Sequence, residues 1–236
     1  MGIQDWFAVF VSVIVFGLFG ATSLFLWRCM FEPGPFLLNR ASRNRAWERM
    51  ANHLGGQFQT GGLFDLPNIT FQHRGEWVTL DILAIKWKFT RCYPRLALSW
   101  PDDQLVLEIN GRGFRIGHPG ITQRGDRSLK TRLLGYPEIP VGSAEFQSAF
   151  VVTGNDPAKI QRLLRPEVKA KLNQFRTLTF QATWQSPVGC SVNVTGGEFV
   201  LMKYGLLNIE HDLELFVRSG LSLYDAMRSS HEPTAE

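Results

Sequence analysis

The sequence predicts an α+β fold in which a single N-terminal transmembrane helix precedes a soluble domain of antiparallel β-hairpins and a β-meander packed with helices. Three observations support this prediction. Residues 6–27 form an apolar run without any ionisable side chain. Later segments alternate apolar and polar residues between turn dipeptides, as half-buried antiparallel strands do. Other segments repeat apolar residues with helical spacing, and the short connections show no β–α–β rhythm.

Residues 6–28 are predicted to span the membrane as one helix. At about 1.5 Å per residue the apolar run would be about 31 Å long, which matches a hydrocarbon core of about 30 Å. The alternative is a cleavable signal peptide, which needs a basic N-terminal region and a cleavage site of small residues. Residues 1–5 contain no Lys or Arg, and the run ends in the bulky sequence LWRCMFEPGP. We therefore expect a retained anchor, followed by a juxtamembrane linker over residues 29–41.

The charges that flank this run predict its orientation. Only Asp5 precedes it, whereas arginines follow it at positions 28, 40, 43, 45 and 49. Because cytoplasmic flanks are enriched in Lys and Arg, we expect residues 1–5 outside and the domain in the cytoplasm, at the inner membrane of the cell. Gly17 and Ala21 have the spacing of close helix contacts in membranes, so they are candidates for a homodimer seam. Both residue types are also common in membrane helices that do not pair.

The soluble domain is predicted over residues 42–228 and begins with a helix. Ser42 is its expected N-cap, and Gly55-Gly56 its end; one apolar stripe contains Trp47, Met50, Ala51 and Leu54. A hairpin should follow around Arg74-Gly75, with Phe71 opposite Val78 and Ile69 opposite Leu80. A second hairpin is expected around Asn110-Gly111, a dipeptide typical of type I′ turns, with Leu107 opposite Phe114 and Leu105 opposite Ile116.

The C-terminal half should contain helices and a three-stranded meander. Asp156 is expected to cap a helix that begins at Pro157, and Pro166 to begin another. Residues 177–185 alternate as a strand and should continue through turns at 186–189 and Gly196-Gly197 into two more strands. A last helix should begin after Asn208, with the polar residues 229–236 as a flexible tail.

Searches for catalytic and metal-binding patterns favour a protein without enzymatic activity, and the sequence predicts no metal or cofactor. The five histidines have no partners at zinc-ligand spacing, and no nucleophile elbow or phosphate-binding loop is present. Asp81 is the one carboxylate within an otherwise apolar strand. It could belong to an enzyme site together with the loop over residues 117–142. The simpler expectation is that Asp81 pairs with an Arg or Lys of a neighbouring strand.

Basic residues concentrate beside the membrane and around the loop 117–142. This loop is rich in Gly and Pro and longer than most loops of compact domains, and a solvated loop is the simple interpretation. Its cations, with those after the anchor, could instead contact anionic lipid headgroups. Nucleic acid is a less suitable partner because no aromatic residue lies between positions 116 and 134. The candidate anionic-surface contacts are Arg43, Arg45, Arg49, Arg112, Arg115, Arg124, Arg127, Lys130 and Arg132.

Several landmarks give the chain a resemblance to a family. They are Trp47-x-x-x-Ala51-x-x-x-Gly55, Arg74-Gly75, Thr90-Arg91 and the stretch Phe146-x-x-x-Phe150-Val-Val-x-Gly154-x-Asp156. They resemble a loosely defined group of uncharacterised bacterial proteins with one N-terminal membrane helix and a cytoplasmic α+β domain. That group usually has Asp where this chain has Gln147. The resemblance implies location and architecture, and no activity.

Together these features predict a single-pass membrane protein whose cytoplasmic domain binds or scaffolds. Its expected partners are the bilayer through residues 6–28, anionic headgroups, and a protein partner or a second copy. Two alternatives stay open. One is a membrane-bound enzyme with a site near Asp81 and the loop 117–142. The other is an accessory subunit of a membrane complex.

Overall fold

The computed structural model describes residues 20, 23, 40–60, 66–86, 90–112, 135–180, 189–203, 205, 207 and 209–231. The helices in this part of the chain are α1 (Arg40–His53), α2 (Ala144–Ala149), α3 (Pro157–Leu163), α4 (Pro166–Thr177) and α5 (Glu210–His231). The strands are β1 (Gln57–Gln59), β2 (Asn68–His73), β3 (Glu76–Lys86), β4 (Thr90–Ser99), β5 (Leu107–Gly111), β6 (Phe150–Gly154), β7 (Cys190–Thr195) and β8 (Glu198–Lys203).

The eight strands form one antiparallel sheet in the order β1-β2-β3-β4-β8-β7-β5-β6. Alternate apolar side chains of the strands are buried on one face of this sheet, and helices cover that face. Helix α5 crosses it so closely that a Cβ at Gly220 would lie 2.8 Å from Leu96 and 2.9 Å from Leu201. Helix α4 packs on α5 through Phe175 and Phe216, whose rings are 5.6 Å apart. The predicted α+β class is therefore confirmed.

The first predicted hairpin is confirmed in its register. Phe71 lies opposite Val78 and Ile69 opposite Leu80, and all four side chains are buried. The turn between the strands consists of Arg74 and Gly75, both with positive φ (51° and 83°). This is the conformation that a two-residue hairpin loop requires. The turn at Gly196-Gly197, between β7 and β8, is also confirmed.

The second predicted hairpin is wrong. Strand β5 continues through Asn110 and Gly111 and pairs on both sides, with Asn110 opposite Val151 of β6 and Ser191 of β7. Leu107 likewise lies between strands β6 and β7, so neither of its edges is left for Phe114. Gly111 has a packing role instead, because a Cβ there would lie 3.2 Å from the backbone nitrogen of Cys190. Residues 113–116 lie outside the described residues.

Three further boundaries differ from the predictions. Thr177, the first residue of the predicted strand, is the last residue of helix α4, and the described neighbours of β7 in the sheet are β5 and β8. Residues 181–188 lie outside the described residues. Helix α1 already includes Arg40, so Ser42 is within the helix. Helix α5 continues into the predicted tail as far as His231, whose ring lies 5.5 Å from that of Trp100. The contact between His231 and Trp100 gives the end of α5 a tertiary partner that the local sequence does not indicate.

The two helix starts at proline are confirmed. Asp156 caps α3, its Oδ1 accepting the backbone N–H of Lys159 at 2.9 Å, and Pro157 is the first residue. Pro166 begins α4. Gly154, just before this region, has no room for a side chain, because a Cβ there would overlap the carbonyl oxygen of Val106 and the side chain of Ile160. Asn208 lies outside the described residues.

The predicted span over residues 6–28, with Gly17 and Ala21, lies outside the described residues except for Gly20 and Ser23. Within the described part of the chain, no helix combines the length and the apolar composition needed to cross a membrane.

Candidate functional site

A basic surface lies where α2 and α4 pack beside the edge strand β6; we define it by Arg112, Lys169 and Arg176. Lys169 and Arg176 are seven residues apart on α4, so they project from the same side of the helix. Lys169 Nζ lies 5.9 Å from the centre of the Phe146 ring, and Arg176 Cζ lies 5.8 Å from that of Phe150. The two rings stack at 4.8 Å. Each cation therefore covers one ring of a stacked pair, within the range of cation–π attraction.

Lys169 and Arg176 have no carboxylate partner within the described part of the chain, although both are partly buried. The Nε atom of Arg176 is buried and has no hydrogen-bond partner among the described residues. Other partly buried cations differ in this respect, since Arg95 pairs with Asp81 and Lys159 with Asp102. A partly buried charge is normally paired, because desolvation is costly. Lys169 and Arg176 thus present positive charge without an internal counter-ion among the described residues.

A further cation, Lys203, is buried beneath this surface at the end of β8. Its Nζ donates hydrogen bonds to the carbonyl oxygens of Phe175 (3.1 Å) and Arg176 (2.9 Å), in the last turn of α4. Burial lowers the pKa of Lys203 to about 8; the nearby thiol of Cys190 counteracts this, and the charge of Arg176 adds to it. The ammonium group satisfies carbonyls that would otherwise have no donor at the helix end.

Cys190 lies directly opposite Lys203 across strands β7 and β8 and is fully buried, as its alternation with Val192 predicts. Burial raises the pKa of its thiol to about 12, although the charges of Lys203 and Arg176 act in the opposite direction. Such a thiol stays protonated and is a poor nucleophile. We therefore assign Cys190 to the core.

Arg112 joins the basic surface to the predicted basic loop. Its Nε donates to the carbonyl oxygen of Gln147 at 2.9 Å, and its guanidinium group lies 3.5 Å from Glu138. Glu138 in turn bridges to Thr153 of β6. The described residues on both sides of the segment 113–134 therefore lie beside β6. That segment, outside the described residues, includes Arg115, Arg124, Arg127, Lys130 and Arg132.

The arginines of α1 are not equivalent. Arg43 is only 3% exposed, because it lies on the same side of the helix as the buried residues Ala46, Trp47 and Met50. Its inclusion among the exposed surface contacts was therefore wrong. Arg45 is exposed, and Arg49 is exposed and pairs with Glu210 at 3.3 Å.

Asp81 is held in a two-point ion pair with the neighbouring strand, as the simpler prediction states. Its oxygens accept hydrogen bonds from Arg95 Nε at 2.9 Å and from the terminal nitrogen at 2.5 Å, and its side chain is 21% exposed. A cavity of about 300 Å³ opens farther along the same face, and Asp81 is not in its lining. The geometry expected of an enzyme site at Asp81 is therefore not found among the described residues.

This cavity, the Trp77 depression, is lined by residues of β3, β4, β8 and the turn at Gly196-Gly197. The Trp77 side chain is 62% exposed, on the face of the sheet away from the helices. Glu198 belongs to the lining. Glu76, next to Trp77, accepts hydrogen bonds from the hydroxyl group of Ser99 and from Arg228, and these two contacts lower the pKa of Glu76.

Sequence reasoning missed Lys169, Arg176 and Lys203. Lys203 is an even number of residues from Phe199 and Leu201 in the same strand, so alternation indicates that its side chain faces the core with theirs. The i, i+7 spacing indicates that Lys169 and Arg176 lie on the same side of their helix. The absence of counter-ions depends on tertiary contacts, so no local pattern signals it. Gln147, where the resembling group has Asp, donates to the carbonyl oxygen of Gly142 at 3.3 Å and so closes the turn before α2.

Comparison with known proteins gives little further information. No family model matches the chain, and no curated protein is significantly similar to it. Among solved structures, the chain is similar to the mycobacterial trehalose monomycolate transport factor A, TtfA, with 11% identity and a TM-score of 0.49. The similarity covers 83% of this chain and 99% of that one. A likeness of this extent carries no conclusion about function.

Proposed function

We propose that this chain is a single-pass protein of a bacterial cytoplasmic membrane, anchored through residues 6–28, whose cytoplasmic domain is a non-enzymatic binding module. In this proposal the basic surface contacts anionic headgroups of the inner leaflet. The observation that carries the proposal is the pair of partly buried cations, Lys169 and Arg176, which have no carboxylate partner in the described part of the chain.

An anionic surface would supply the counter-ions that the fold leaves out. Arg binds phosphate oxygens through a planar fork of donors, and a basic residue near an anionic leaflet contributes about 1 kcal/mol. Lys169 and Arg176 would together contribute about 2 kcal/mol, or roughly 30-fold in membrane partitioning. The arginines and lysine of segment 113–134 would add to this, because the chain enters and leaves that segment beside β6.

A binding role is also supported by the state of Asp81. Arg95 engages both of its carboxylate oxygens, so neither is left to take a proton from a substrate without breaking the ion pair. The pair joins β3 to β4, which is a structural task.

The test uses the full-length protein in lipid nanodiscs, with a fluorophore on Gln174→Cys in a Cys29→Ser, Cys92→Ser background. Gln174 is exposed on α4. A quencher carried by the lipids should dim the fluorophore more in discs with anionic phosphatidylglycerol than in neutral discs. The difference should disappear as salt rises from about 0.1 M to about 1 M, where the Debye length falls from about 10 Å to about 3 Å.

Paired variants make this test specific. Lys169→Gln and Arg176→Gln should each reduce the anionic-lipid effect, whereas Arg162→Gln, which removes an exposed arginine from α3, should not. Quenching that depends neither on lipid charge nor on salt concentration would refute the lipid contact.

The orientation of the protein in the membrane is tested separately. A cysteine at Gln4 should react with a membrane-impermeant thiol reagent outside intact cells, and one at Gln174 should not.

A further inference from the structure

We propose that Lys169 and Arg176 of the basic surface select lipids that carry two linked phosphate groups, such as diphosphatidylglycerol, over lipids that carry one. This inference rests on the proposed function, because it names the headgroup that the same surface would prefer. It depends on three features of the two cations: their fixed positions, their separation along α4, and the absence of a carboxylate partner for either of them in the described part of the chain.

The Lys169 side chain is held against the turn before α2. Its Nζ lies 5.9 Å from the centre of the Phe146 ring. A Cβ at Gly142 would lie 3.0 Å from this Nζ and 3.1 Å from Cε, so the lysine side chain passes directly over the glycine. The backbone there is itself fixed, because the carbonyl oxygen of Gly142 accepts a hydrogen bond from Gln147 at 3.3 Å. The turn therefore gives the ammonium group a defined position.

Arg176 is held through both its backbone and its side chain. Its carbonyl oxygen accepts a hydrogen bond from Lys203 Nζ at 2.9 Å, and its Cζ lies 5.8 Å from the centre of the Phe150 ring. Its Nε is buried. A side chain that is already ordered loses less conformational entropy when a ligand binds. Both cations are thus arranged for an anion before one arrives.

The separation of the two cations fits two anionic groups. Seven residues of an α-helix correspond to a rise of about 10.5 Å, so the cations lie two turns apart on one side of α4. The rings beneath them, Phe146 and Phe150, stack at 4.8 Å and make the surface continuous. Arg112 differs from this pair, because its guanidinium group lies 3.5 Å from Glu138. The surface therefore presents two neighbouring positions for phosphate.

A lipid with two linked phosphates would use both positions in one binding event. Once the first phosphate is bound, the covalent link keeps the second at a high effective concentration near the other cation. Two lipids with one phosphate each must instead be recruited and ordered separately. One basic residue near an anionic leaflet changes partitioning roughly fivefold. The linked headgroup should therefore be favoured by roughly three- to fivefold.

The experiment uses a series of nanodiscs with increasing anionic lipid and the full-length protein, labelled at Gln174→Cys in the Cys29→Ser, Cys92→Ser background. The readout is the content of lipid phosphate at which half of the quenching change has occurred. Diphosphatidylglycerol should reach this midpoint at roughly three- to fivefold less phosphate than phosphatidylglycerol. Lys169→Gln and Arg176→Gln should each bring the ratio of the two midpoints close to one.

Two matched variants separate the position of the charges from their number. Arg176→Gln combined with Gln161→Arg moves one cation to an exposed position of α3, and Lys169→Gln combined with Gln161→Lys does the same for the other. Both keep the net charge of the chain, and both should lose the preference for diphosphatidylglycerol. Thermal unfolding of each variant checks that the domain is folded.

The outcomes distinguish this inference from the lipid contact itself. If both anionic lipids give the same midpoint in phosphate, the preference is refuted and the lipid contact stands; if neither lipid quenches the fluorophore more than neutral discs do, both fail. A preference that persists when either cation is moved to α3 would also overturn the inference, because net charge would then explain it. Free glycerol 1,3-bisphosphate at the same bulk concentration should leave the preference intact, and its loss would make a soluble bisphosphate the ligand.

Discussion

Replacing Lys203 with methionine should abolish a rise in stability that the wild-type protein shows between pH 7 and pH 10. Lys203 is 1% exposed, and burial lowers the pKa of its ammonium group from 10.5 to about 8. At about 1.36 kcal/mol per pKa unit, keeping Lys203 charged costs the folded state about 3 kcal/mol below pH 8. Between pH 8 and 10.5 the unfolded chain binds one more proton than the folded one, so the free energy of unfolding rises with pH.

The expected size of this rise is about 2–3 kcal/mol between pH 7 and pH 10, from the same two pKa values. Cys190 works in the opposite direction. Burial raises the pKa of its thiol from 9.0 to about 12, so above pH 9 the unfolded chain loses a proton that the folded one keeps, and stability falls. The wild-type curve alone should therefore flatten above pH 9. The difference between wild type and Lys203→Met isolates the lysine, and repeating it in a Cys190→Ala background removes the thiol.

The assay is urea unfolding of the full-length protein in detergent, followed by tryptophan fluorescence at pH 7, 8, 9 and 10. Lys203→Arg is the matched control, because arginine keeps a cation at this position and cannot lose its proton in this range. Both variants should lack the rise. A wild-type minus Lys203→Met difference that stays flat, or falls with pH, would refute the buried-cation interpretation. At pH 7 itself Lys203→Met should change stability little, since the relieved desolvation offsets two carbonyls left without a donor.

Three further substitutions test the fold. Gly154→Ala should lower the free energy of unfolding by about 1–3 kcal/mol, because a backbone carbonyl occupies the space of the added methyl group; an unchanged urea midpoint would contradict that close approach. Asp81→Asn should cost about 1–2 kcal/mol by weakening the two-point pair with Arg95, again measured by urea unfolding. Lys159→Met should move the acid-unfolding midpoint to higher pH. Burial raises the pKa of Asp102, but the hydrogen bond from Lys159 and others outweigh it, so this pair stabilises the fold above about pH 4 and is lost as pH falls.

The sequence predicted best where a strong pattern and its structural partner are close in the chain. The β2–β3 register follows from the two-residue turn at Arg74-Gly75, because alternation then fixes which side chains face the core. The helix starts at Pro157 and Pro166 follow from backbone geometry that proline imposes. Asp81 was correctly expected to pair, because a carboxylate on a sheet face is stable beside a cation of the next strand.

Prediction from the sequence failed where pairing with distant segments outweighs the local sequence pattern. Asn110-Gly111 has the composition of a tight turn, yet pairing with β6 and β7, some 40 and 80 residues away, keeps β5 extended through it. The alternation after Thr177 favours a strand, but β5 already occupies the edge of β7 that this strand would need. The counter-ions of Lys169 and Arg176 are missing for a similar reason. No described element places a carboxylate beside these two cations, and this depends on the tertiary fold.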